Sequence, residues 1–100
     1  MTEVAQAFAE ALNFIGALRT KEMVEASREQ LGGETALAAA LRTSVARCRV
    51  FLASAKAVDG IPTLAELGDA LAMLDAVDEQ SDDGAVAAAA TKFLRHFGMP

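Results

Sequence analysis

Cys48 and His96 are the only cysteine and the only histidine of the chain. A thiol beside an imidazole is a nucleophile with its base, so this pair comes first among candidates for chemistry. The setting of each residue points elsewhere. Cys48 stands in the middle of an apolar helical stripe, where cysteine behaves as a small inert hydrophobe. His96 falls in the last turn of a C-terminal helix, with Lys92 and Arg95, where the negative end of the helix dipole favours cations. A core place for Cys48 and a surface place for His96 are the expectation.

Metal chemistry has little to build on. Zinc needs a cluster of Cys and His, and di-metal bundles use Glu-x-x-His pairs, neither of which occurs here. Glu79-Gln80-Ser81-Asp82-Asp83-Gly84 resembles the front of a calcium loop. With Gly84 as the sixth position, the twelfth is Ala90, where the bidentate glutamate belongs. That run reads instead as an acidic junction between helices. Gly32-Gly33 could cradle an anion at a helix start but reads as a helix stop. No Walker-type loop, GxGxxG, GxSxG or HExxH is present. No enzyme, cofactor or metal is therefore expected.

The elements that would position any site are helices. Thr35–Val58 carries Leu37, Leu41, Ser44, Val45, Cys48, Phe51, Leu52 and Ala55 on one side of a 3.6-residue wheel, a stripe wide enough for one long amphipathic helix. Arg42, Arg49 and Lys56 line one flank at seven-residue spacing, and Arg47 lies on the other. Before it, a first helix is expected from the N-cap Thr2 to about Gln30, stopped by Gly32-Gly33. Its stripe is Val4, Phe8, Ala11, Leu12, Ile15 and Leu18, but Arg19 and Glu22 fall on the same stripe. Either this helix bends near Gly16–Thr20 or its second half emerges past the core. After Asp59-Gly60-Ile61-Pro62, Thr63-Leu64-Ala65-Glu66 forms a capping box and opens a third helix with the seam Leu64, Leu67, Leu71, Leu74 and Val77. Ser81–Gly84 breaks the pattern, and a fourth helix turns Val86, Ala89, Ala90, Phe93, Leu94 and Phe97 inward. The expected fold is all-α, an antiparallel bundle of four helices, or five if helix 1 is broken near Gly16–Glu22, within a single domain spanning residues 1–100.

One hundred residues with 53% hydrophobic content can bury a modest core. Alanine, roughly a quarter of the chain, favours helix and lets helix axes approach closely. Arg19, Arg42 and Arg47 interrupt the longest apolar windows, so no membrane span is expected. A lone cysteine excludes an internal disulfide and fits a reducing compartment, and with no leader pattern at the N-terminus the cytoplasm is the expected location. The net charge of −5 comes from the second half, which holds eight acids against three bases. Phosphate affinity rests on Lys and Arg, so this balance disfavours nucleic acid as a partner.

Leu37-Ala38, Leu41 and Ser44, followed by Gly60-Ile61-Pro62-Thr63-Leu64, Leu67 and Leu74, resemble the Xre-type helix-turn-helix DNA-binding domain over about Leu37–Leu74. The resemblance implies that Ser44, Arg47 and Arg49 face phosphates and base edges from a recognition helix. Arg42 stands where that family's turn glycine belongs, and a left-handed conformation is costly for arginine. The unbroken stripe through Leu41–Val45 favours a continuous helix.

The functional expectation is a non-enzymatic regulatory or adaptor protein that binds another protein. An apolar helix face would give affinity. An acidic edge, Asp75, Asp78, Glu79, Asp82 and Asp83, would select a basic partner. Surplus apolar positions on helix 1, Phe8, Phe14 and Ile15, point to a homodimer. A DNA-binding regulator and an acidic mimic of nucleic acid are the alternatives.

Overall fold

The computed structural model of the chain describes residues 3–54 and 61–98. Five helices follow one another: α1 (Glu3–Gly16), α2 (Lys21–Leu31), α3 (Glu34–Ser54), α4 (Leu64–Asp75) and α5 (Asp83–Arg95). No strand occurs among the described residues, and the fold is an all-α helical bundle. The expected N-cap Thr2, and Ala55, Lys56, Asp59 and Gly60 between α3 and α4, lie outside the described residues.

The long first helix is two helices. Ala17 N–H donates to the carbonyls of Asn13 and Phe14, and Leu18 N–H to that of Ile15, so the last turn of α1 tightens and stops. Thr20 then takes an extended conformation, and its side chain accepts from Met23 N–H as the N-cap of α2. This break resolves the conflict on the stripe. Arg19 is exposed in the connection and donates from Nε to Gly16 O at 2.9 Å, while Leu18 beside it is fully buried. Glu22 becomes an exposed acid in the first turn of α2, at the positive end of its dipole.

The other stops follow the local chemistry. Gly32 closes α2 with φ 94°, a left-handed conformation that glycine adopts without a Cβ clash. Gly33 N–H also donates back to Arg28 O, which satisfies the last carbonyls of the helix. At α4 the capping box is complete: Thr63 Oγ1 accepts from Glu66 N–H, and Glu66 Oε2 accepts from Thr63 N–H at 2.8 Å. Asp82 caps α5 by accepting from Ala85 N–H at 2.7 Å.

α3 and α5 each pack on α1, α2 and α4, and their backbones do not approach one another. The stripe of α3 is buried along its described length, at Leu37, Leu41, Ser44, Val45, Cys48 and Leu52, with Phe51 partly covered. Leu67, Ala70, Leu71, Leu74 and Val77 meet it from the α4 side, and Val86, Ala89, Ala90, Phe93 and Leu94 complete one continuous core. Phe8 links the two layers. Its ring stacks on Phe51 of α3 at 4.2 Å and meets Phe97 beyond α5 at 6.0 Å. The pairs Phe8–Phe51 and Glu10–Arg47 make α1 and α3 antiparallel, and Arg28–Asp83 with Arg19–Thr91 do the same for α2 and α5.

Two substitutions separate local from packing contributions. Thr63→Ala removes the cap of α4 and should lower the unfolding free energy by about 1 kcal/mol. Leu41→Ala opens a cavity under α3 and should cost about 2–5 kcal/mol. Urea unfolding followed by circular dichroism reads both as shifts of the midpoint.

Candidate functional site

The acidic edge is engaged within the fold. Asp75 Oδ2 lies 3.4 Å from Arg49 Nη1. Asp78 Oδ1 accepts from Gln80 N–H and from the Ser81 hydroxyl, whose oxygen accepts in turn from Asp78 N–H, and this closes the turn after α4. Glu79 Oε1 accepts from the Thr35 hydroxyl at 2.8 Å and so ties that turn to the start of α3. Asp82 is a helix cap. Asp83 pairs with Arg28, both largely buried, joining the positive end of α5 to the negative end of α2. Asp78, Glu79, Asp82 and Asp83 hold the junctions around α5, Asp75 makes only an exposed pair, and the segment that resembles a calcium loop is built from caps and turns. No group of three His, Cys, Asp or Glu side chains among the described residues could hold a metal ion.

The basic side of α3 is arranged differently from a recognition helix. α3 runs unbroken through Arg42, and no residue other than glycine has a positive φ among the described residues, so the turn that the Xre-type resemblance requires is not formed. Ser44 is buried and its hydroxyl donates to Ala40 O at 2.9 Å, which removes it from any phosphate. Arg47 and Arg49 are exposed, beside Glu10 at 3.7 Å and Asp75 at 3.4 Å. Exposed pairs of this kind contribute about 0–1 kcal/mol each, so neither arginine is locked. Arg42 has no ion-pair or hydrogen-bond partner among the described residues.

The residues expected to carry self-association are placed inside a single chain. Ile15 is fully buried, Phe8 is 9% exposed, and Phe14 is partly buried against the core. On the side of α1 that borders α3, Val4 is exposed and Ala7 half-buried. Together with Thr43, Ala46 and Val50 these side chains line an open groove of about 380 Å³, with Glu3 and Arg47 as its charged rims. Val50, 56% exposed, is the most exposed large apolar side chain described.

Ala39, Thr43, Ala46, Val50 and Ala53 continue this surface along α3, and all five are exposed. The Thr43 hydroxyl donates to Ala39 O, so the threonine presents its methyl group. The 4-3-4-3 spacing of this ridge is visible in the sequence, but its residue types do not set it apart there. Alanines that suit either face of a helix hid it behind the larger side chains of the opposite stripe.

Cys48 is fully buried, and desolvation raises its thiol from 9.0 to about 11, so a nucleophilic thiolate is scarce at neutral pH. His96 is exposed beyond the end of α5. Because the folded state holds the thiol proton more tightly than the unfolded chain, Cys48 favours folding below pH 9. That contribution is lost as pH rises towards 11. The midpoint of thermal unfolding should fall across that window, and Cys48→Ala should flatten the fall. Equal slopes for both proteins would mean that the thiol titrates alike in the two states. Among the described residues no helix is long and apolar enough to cross a membrane. Searches against protein-family models, curated proteins and solved structures find no match to this chain.

Proposed function

We propose that the chain is a small non-enzymatic helical module, regulatory or adaptor in role, that binds another protein chain through the groove between α1 and α3. The observation that carries this reading is a contiguous apolar surface left open on the longest helix, with Val50 as its most exposed side chain. Single exposed apolar residues are common and mean little, whereas a row of them along one groove favours association. Helical partners are held in such grooves by apolar side chains repeating every three or four residues.

The acidic edge has a smaller part in this reading than its charge alone implies. Its carboxylates already have partners at helix junctions, and turning them to a ligand would cost those contacts. Charge selection falls instead to the rims of the groove, where Glu3 and Arg47 are exposed. A reducing, cytoplasmic setting suits the lone buried thiol.

A photo-crosslinking amino acid at position 50 tests the groove in cells, with position 25 on exposed α2 as the control. Position 50 should yield a discrete protein adduct, either a second copy or a different chain, that position 25 does not. Val4→Asp at the groove edge should abolish the adduct while leaving the helical signal unchanged. Identical diffuse patterns from the two positions would remove the groove from the reading.

A further inference from the structure

α3 carries two seams. Leu37, Leu41, Ser44 and Cys48 form one at 4-3-4 spacing, and α1, α2 and α4 cover it. Ala39, Thr43, Ala46, Val50 and Ala53 form the other. An offset of two residues turns about 200° around a helix, so the second seam lies nearly opposite the first, in solvent. Alternating steps of three and four residues are the spacing with which one helix packs along another. Small side chains on such a seam let two axes come within about 8 Å.

The rims of the second seam decide what fits it. On the α1 side Arg47 stands with Glu10 and Glu3; on the α4 side Arg42 and Arg49 stand with Asp75, Asp78 and Glu79. Both rims carry both signs. A partner of uniform charge would be repelled by part of each rim, whereas a second copy brings both signs to each rim and lets opposite charges meet. In an antiparallel two-fold pair centred on Ala46, each rim faces its own copy run in reverse. Arg42 then comes level with Val50 of the second copy, beside the Arg49–Asp75 pair there. Arg42, whose side chain has no ion-pair partner among the described residues, is brought near the carboxylate of Asp75 across the interface. The two Arg47–Glu10 pairs meet near the axis as a cluster of four alternating charges.

Resting on the groove reading above, we infer that the occupant of this surface is a second copy of the chain, with the Ala39–Ala53 ridge of α3 packed antiparallel on itself. The ridge is about 21 Å long at 1.5 Å per residue, and its side chains are small. The pair is accordingly a modest interface, with a dissociation constant on the order of micromolar.

Sedimentation equilibrium of the purified full chain, from about 1 to 500 µM, is the test. The mass should rise from that of one 10.4 kDa chain to twice that value. Ala46→Arg puts two like charges on the axis from an exposed position, so the helical signal should hold while association weakens at least tenfold. Glu10→Lys should weaken it likewise, and Glu10→Lys combined with Arg47→Glu should restore it. A single-chain mass at every concentration overturns the inference, as does a dimer indifferent to Ala46→Arg or a double variant no better than Glu10→Lys. If the mass stays single while position 50 still captures a different protein, the second copy is excluded and the binding module stands.

Discussion

Burial of the Leu37–Leu52 stripe of α3 is the interaction on which the rest of the fold depends. Three helices, α1, α2 and α4, cover that one stripe, and α5 reaches the core only by packing on those three. Several of the buried side chains are alanine, which fills little volume, so most of the core volume is supplied by leucine, valine and phenylalanine. Phe8 is the clearest case, since one ring touches α3 on one side and the end of α5 on the other.

Covering α3 from three directions also requires the chain to reverse sharply between α1 and α2. A continuous helix through residue 30 would carry Arg19 and Glu22 towards the core. The break at Ala17–Thr20 turns those charges out, keeps Leu18 in, and frees α2 to run along α5. The Arg28–Asp83 pair at one end and the Thr91 hydroxyl on Arg19 O at the other hold that second layer in register. Burying an ion pair adds little to stability, and its value is in fixing which ends meet. Part of the acidity of the second half has the same kind of explanation, because Glu66, Asp78, Asp82 and Asp83 stand where helices begin or where a turn needs an acceptor.

Using one face of α3 for the core leaves its other face to be read separately. A helix in a small bundle that was fully satisfied would carry polar residues there, and several long charged side chains do stand on the flanks. The ridge between them is alanine, threonine and valine, with no charge along five successive seam positions. Small apolar side chains on a solvent face cost little in an isolated chain and give a close fit when another helix arrives. The core and the proposed binding surface are thus two consequences of one periodicity, offset by two residues.

Much of this was legible in the residues taken alone, for local reasons. Hydrophobic periodicity identified the helices. The Thr63–Glu66 capping box, the Gly32-Gly33 stop and the Asp82 junction rest on chemistry within four residues, and each is found where spacing placed it. Cys48 in the core and His96 at the surface followed from position on a wheel. What needed the tertiary structure was every property set by residues far apart in the chain. The choice between a bend and an emerging helix at Gly16–Thr20 depended on whether α2 could find α5. The acids of 75–83 looked free because Arg28, Thr35 and Arg49 are distant in sequence and adjacent only after folding. Phe8 and Ile15 looked surplus because α3 and α5 had yet to enclose them. Exposure is a property of the whole assembly of helices. Composition could therefore count the apolar residues, and only packing could decide which of them, Val50 foremost, would be left facing water.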